Sequence, residues 1–230
     1  GLNLTWEVRA GLRKHESKTE GLLLDDKPIG PWQYVEAQIA DVADDITYQA
    51  HDTQDGLEAG LLSLEGLRST ELWRLAENRI LEQHPDCTKA RLIPSVIRML
   101  FTIQIEDVLK IARIRIAEWN PQSPQDVMNA PDRVVNFSDA LADILRPYRA
   151  MLFHDMYGHP AVERANDEAV DMMTELFQYY VHHPDHMGSK AQRRLPTHGL
   201  MRTACDYVAG CTDRYALEQC AAYGIAKASS

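Results

Sequence analysis

The stretch from Lys89 to Trp119 limits the fold more than any other. Its thirty-one residues contain no glycine, and Ile93, Ile97, Leu100, Phe101, Ile105, Val108, Leu109, Ile111 and Ala112 are spread along them. Wound at about 3.6 residues per turn, these positions cover well over half of a helix circumference. A helix apolar on that scale must be packed on several sides, so the rest of the chain has to supply a bundle around it. Elsewhere no alternation of apolar and polar residues lasts long enough to require a strand. The expected class is all-α, with six to eight helices packed as a bundle. The Pro- and Gly-bearing segment 17–32 is the one place for a short hairpin.

Helical spacing marks further elements. Leu4, Val8 and Leu12 share one face of an opening helix, with Thr5 as its N-cap and Arg9 and Lys14 turned away from that face. Residues 36–56 read as a helix closed by Gly56, and DGLEAGLLSLEGLR at 55–68 as a weaker helical stretch. Residues 70–84 end at His84-Pro85-Asp86, and 120–136 form a loop. Ser138 starts a helix to Met156, Pro160 starts another to His183, and Met201–Tyr223 reads as one closing helix. The basic segment 184–198 reads as irregular. Two regions are expected, 1–190 as the main helical body and 191–230 as a basic loop and closing helix packed on the same domain.

The net charge of −10 disfavours a nucleic-acid groove binder, which normally presents a basic face. The run Leu92–Ile105 contains Pro94 and Arg98 and is too short to span a bilayer. Cys87, Cys205, Cys211 and Cys220 form no CxxC pair and read as reduced thiols in a cytoplasmic protein. The chain opens at Gly1 with no initiator methionine, so a fragment or trimmed chain is expected.

One helix carries the sharpest constellation. Asp44, Tyr48 and Asp52 are each four residues apart, so an aromatic ring is bracketed by two carboxylates on one slowly drifting stripe. An acidic surface helix in water gives the same spacing. Asp45 points about a quarter-turn away. Two His-Asp dipeptides, His51-Asp52 and His154-Asp155, hold neighbouring side chains about a quarter-turn apart and do not converge on a metal. His182, His183 and His186 cluster at a helix end, where surface histidine is common. HExxH, P-loop, GxGxxG and GxSxG motifs are absent from the sequence.

Four segments occur in a telling order: GLNLTWEVRAGLRKH at 1–15, EAQIADVADDITYQAHDTQDGL at 36–57, LFHDMYGHPAV at 152–162 and ACDYVAGCTDRYAL at 204–217. Together they resemble the C-terminal portion of the dGTPase-like deoxynucleoside triphosphate triphosphohydrolases of the HD superfamily. The resemblance implies a helical hydrolase that uses a divalent metal (Mg, Mn or similar) to split a dNTP into deoxynucleoside and triphosphate. It implies Asp44 as the last metal ligand, with Tyr48 packing on the deoxyribose and Asp52 bonding its 3′-hydroxyl. Attack on the α-phosphorus would come from metal-activated water. For phosphate, sugar or base contacts the candidates are Arg9, Lys14, Arg98, Arg214, Tyr207 and Tyr215, though each also has a structural reading. Arg98 interrupts an apolar face and would need an anionic partner if buried. The upstream His and the Gly-His-Asp-x-Gly-His-Pro segment of the family are absent from these residues. The chain alone is therefore expected to hold no catalytic residue, to bind metal weakly and to be inactive. Homo-oligomerisation, a dNTP substrate and no membrane partner complete what the resemblance implies. The alternatives are a non-catalytic oligomerisation or nucleotide-sensing module, and an HD phosphohydrolase acting on another phosphoester.

Overall fold

The computed structural model describes residues 3–12 and 23–225. Among these the fold is all-α, with eleven α-helices and a single two-residue hairpin. The chain divides into two compact units, Gly1–Met156 and Tyr157–Ser230. The stretch expected to be irregular instead folds as a 3₁₀ turn, Pro184–His186, and a helix, Ser189–His198. Gln192 pins it by donating to the carbonyls of Pro184 and Met187, and Ala191 is buried in the core of the second unit.

In the first unit α1 spans Trp6–Gly11, and Thr5 caps it by accepting from Val8 N at 3.4 Å. Strands β1 (Leu23–Leu24) and β2 (Lys27–Pro28) pair antiparallel. Asp25 and Asp26 between them take φ of 51° and 60°, the conformation that tight hairpin turns require and aspartate tolerates. The hairpin falls inside the segment where one was expected.

Helix α2 spans Val35–Glu58. Its end differs from expectation. Gly56 does not close the helix but lies inside it, because an added Cβ there would meet Leu62 Cδ1 at 2.6 Å and Met156 Sδ at 3.3 Å. The turn after the helix is made by Gly60 at φ +70°, where a side chain would be strained. Helices α3 (Leu64–Ser69) and α4 (Glu71–Gln83) follow, the first capped by Ser63. Helix α5 spans Lys89–Trp119, as its sequence predicts. It packs on α4 and α2, burying Val96, Ile97, Leu100, Gln104 and Val108. Packing is nevertheless incomplete around α5, since Ile105, Leu109 and Ile116 are exposed. The loop at 120–136 contains a short helix, α6 (Pro124–Met128). Ser138 caps α7 (Asp139–Leu152), which continues as a π-helical turn over Phe153–Tyr157.

The second unit is built on α8 (Pro160–His182), with α9 as the Ser189–His198 helix. The single closing helix read at 201–223 is two: α10 (Leu200–Ala209) and α11 (Asp213–Tyr223). Thr212 breaks the run by accepting from Tyr215 N and so starting a new helix. Leu176, Tyr180, Ala204, Val208, Ala216 and Cys220 form the core of this unit. All four cysteines are free thiols. No described helix is long and apolar enough to cross a membrane.

Candidate functional site

Helix α2 carries the stripe, and its buried side explains why it is unbroken. Val42, Ile46, Gln49, Ala50, Thr53 and Gly56 recur at helical spacing and face inward, against α5 and α7. Polar bonds fix the helix about its axis. The buried Gln38 donates to Gln33 O and accepts from Val135 N at 2.9 Å. Thr53 Oγ1 donates to Gln49 O at 2.6 Å and shares a 2.5 Å bond with Tyr148 OH. Burial pushes the Tyr148 hydroxyl far above the ordinary phenol range, and only the Thr53 bond works against it.

The opposite side holds the candidate residues. Asp44 and Tyr48 are exposed and Asp52 is half-buried, with Tyr48 showing 55% of its surface. Spacing alone had joined these three, and the continuous helix keeps them on one edge. Two arginines border that edge. Arg133 bonds Asp41 at 2.6 Å, and Arg149 reaches Asp45 at 3.3 Å while lying over the Phe137 ring. Sequence reasoning missed both. Arg149 is unremarkable within LRPYRAML, and Arg133 fell in a segment read as loop. Only the fold brings residues about a hundred positions later in the chain back to α2.

Asp44 also lines a cleft of about 580 Å³ between α1 and the first turns of α2. Val8 and Leu12 form one wall, Ala37 and Ala40 the other, and Asp41 and Asp44 supply carboxylates. Nearby, the Tyr34 hydroxyl is pushed upward by burial first and by Glu36 and Glu7 next.

The remaining candidates are dispersed. Arg9 makes a bidentate pair with Asp25, at 2.6 Å and 2.9 Å, which raises its already high pKa. Lys14 lies outside the described residues. Arg98 is exposed, correcting the burial that its apolar neighbours suggested. It stands seven residues before Ile105, two turns along the same outer face of α5. Arg214, in the second unit, is 89% exposed in its side chain and pairs with Glu218 one turn on. Tyr207 and Tyr215 share a hydroxyl–hydroxyl bond of 2.9 Å. That bond and burial push Tyr215 up to about 12.

The histidines behave mostly as packing groups. His51 meets Phe101 edge-on at 5.4 Å. His183 and His186 stack with Tyr179 and Tyr223 at centroid distances of 4.6 Å and 5.3 Å. His154 is different. The π-helical turn lets its Nδ1 meet Asp155 Oδ1 at 2.7 Å, although adjacent residues on a regular helix diverge. Among the described residues no three His, Cys, Asp or Glu side chains come together to hold a metal ion. Taken alone they do not fit a resident metal.

Comparison with known proteins agrees with the sequence resemblance. Residues 135–222 match the phosphohydrolase-associated domain family. A deoxyguanosinetriphosphate triphosphohydrolase-like protein of Geobacter sulfurreducens is 36% identical over 222 residues, covering 95% of this chain and 57% of the relative. The protein so named from Geobacter metallireducens is 35% identical over 227 residues, with 95% and 57% covered. That from Parvibaculum lavamentivorans is 34% identical over 237 residues, with 95% and 60% covered. The chain thus spans 57% to 60% of the length of these relatives. Over the part of their length that it spans, the chain is similar to the deoxyguanosinetriphosphate triphosphohydrolase-like proteins, and its residues 135–222 carry the phosphohydrolase-associated domain.

Proposed function

We propose that this chain is the substrate-reading portion of a metal-dependent deoxynucleoside triphosphate triphosphohydrolase. The observation that carries the reading is the unbroken edge of α2, with Asp44, Tyr48 and Asp52 on successive turns. A half-exposed tyrosine ring offers a flat face for a deoxyribose, and it leaves little room for a 2′-hydroxyl. Asp52, one turn on and half-buried, accepts a hydrogen bond from the 3′-hydroxyl. Arg149, held at Asp45, brings positive charge to the same edge, where an anionic triphosphate needs it.

Among the described residues, Asp44 is the proposed metal ligand. A metal centre, once completed by ligands from outside the described residues, would supply an activated water. What these residues do is bind and orient the nucleotide. The 230-residue chain on its own does not hydrolyse dNTPs. A nucleotide-binding module without hydrolysis is the second reading, favoured by the dispersal of metal-ligating side chains among the described residues.

The test is an assay of the longer gene product that contains these residues, with each of the four dNTPs and with Mg²⁺ or Mn²⁺. The expected products are deoxynucleoside and inorganic tripolyphosphate, with activity abolished by Asp44→Asn. Binding of dNTP without tripolyphosphate would favour the second reading. Turnover of other phosphoesters alone would overturn both.

A further inference from the structure

We infer that Phe137 is a positioning residue for nucleotide phosphate, seating Arg149 at the edge of α2 where Asp45 holds the place that a phosphate oxygen takes on binding. The inference rests on the proposed reading of that edge and adds to it the two residues that govern its cation.

Two arginines reach α2, and they are not equivalent. Arg133 meets Asp41 at 2.6 Å, with only 23% and 22% of the two side chains exposed. Such a close, shielded pair is a fixed part of the fold. Arg149 meets Asp45 at 3.3 Å, with 45% and 57% exposed. That distance is long for a charge-assisted bond, and water screens a pair this open, so it contributes little to stability. An incoming anion of several charges can therefore replace Asp45 without disturbing the bundle.

Asp45 also stands in the right place. At about 100° per residue, it lies about 60° around the helix from Tyr48 and about 20° from Asp52. Arg149 is thus brought beside the ring and the carboxylate proposed to read the sugar.

What keeps the guanidinium there once Asp45 lets go is Phe137. Its buried ring lies 5.5 Å from Arg149 Cζ, within cation–π range. The backbone beside that ring is anchored, because Ser138 donates to Asp107 of α5 from both its N and its Oγ, each at 2.7 Å. An arginine seated on a flat face keeps its in-plane N–H groups directed outward, as bidentate phosphate recognition requires. Binding then exchanges one anion for another while the cation stays in place.

Calorimetric titration of inorganic tripolyphosphate into the longer gene product tests this. Asp45→Asn, at an exposed side chain, is expected to tighten binding about threefold, because the competing carboxylate is gone. Phe137→Leu weakens it about threefold, the scale of an exposed cation–π contact, and Arg149→Ala weakens it further. In the Arg149→Ala background neither change has any further effect, whereas a merely structural role for Phe137 would cost the same with or without the arginine. Affinity unchanged or weakened by Asp45→Asn, a Phe137→Leu loss that persists in Arg149→Ala, or no tripolyphosphate binding at about 1 mM would each overturn the inference. A dNTP turnover assay on the same proteins separates the two claims. Turnover without this pattern overturns the inference alone, and the pattern without turnover overturns the hydrolase reading and leaves the inference standing.

Discussion

Two buried polar contacts hold the first unit in register. Tyr148 is fully buried, and its hydroxyl has Thr53 as partner at 2.5 Å. Tyr148→Phe removes that bond but leaves Thr53 satisfied by Gln49 O, so urea unfolding should show a loss of about 1 kcal/mol. Glu77 is the second case. Arg68 grips its carboxylate from Nε and Nη2, at 3.0 Å and 2.5 Å, and this holds the carboxyl below the usual glutamate range. A lowered folded value means the stabilisation is present above the unfolded glutamate value and is lost as pH falls through the folded one. Glu77→Gln should therefore lower stability at neutral pH and flatten its decline on the acid side, measured as unfolding midpoints across pH. Neither contact could be read from sequence, because each joins residues that no periodicity relates.

At the level of elements, the long regular helices were legible and their punctuation was not. The apolar spacing of 89–119 marked α5 to the residue, since a strong period survives any context. Gly56 misled because a glycine reads alike whether it ends a helix or admits a neighbour, and here Leu62 and Met156 fill the space. The break at Thr212 was hidden in an otherwise helical run, although Thr followed by Asp is a good helix start. Thr212→Ala should cost about 1 kcal/mol, seen as faster amide exchange in the first turn of α11 with α10 less affected. Arg98 shows the opposite error. An arginine amid apolar residues looked buried, but it lies on the side of α5 that the bundle leaves open.

Across the whole molecule, the stripe on α2 was legible because it needs only a helix, whereas its arginine neighbours needed the fold. Asp41 and Asp45 take Arg133 and Arg149 from distant segments, beside the proposed edge of Asp44, Tyr48 and Asp52 that a deoxynucleotide would meet. The central claim is that this edge distinguishes deoxyribose from ribose through Tyr48. The most direct measurement compares kcat/KM for tripolyphosphate release from a dNTP and from the matching ribonucleotide, in the longer gene product and in its Tyr48→Ala variant. The account predicts a deoxy preference of about a hundredfold or more that collapses by at least about tenfold in the variant, as loss of a shaped steric contact allows. An unchanged ratio in Tyr48→Ala, or equal turnover of the two nucleotides by the unaltered protein, would contradict it.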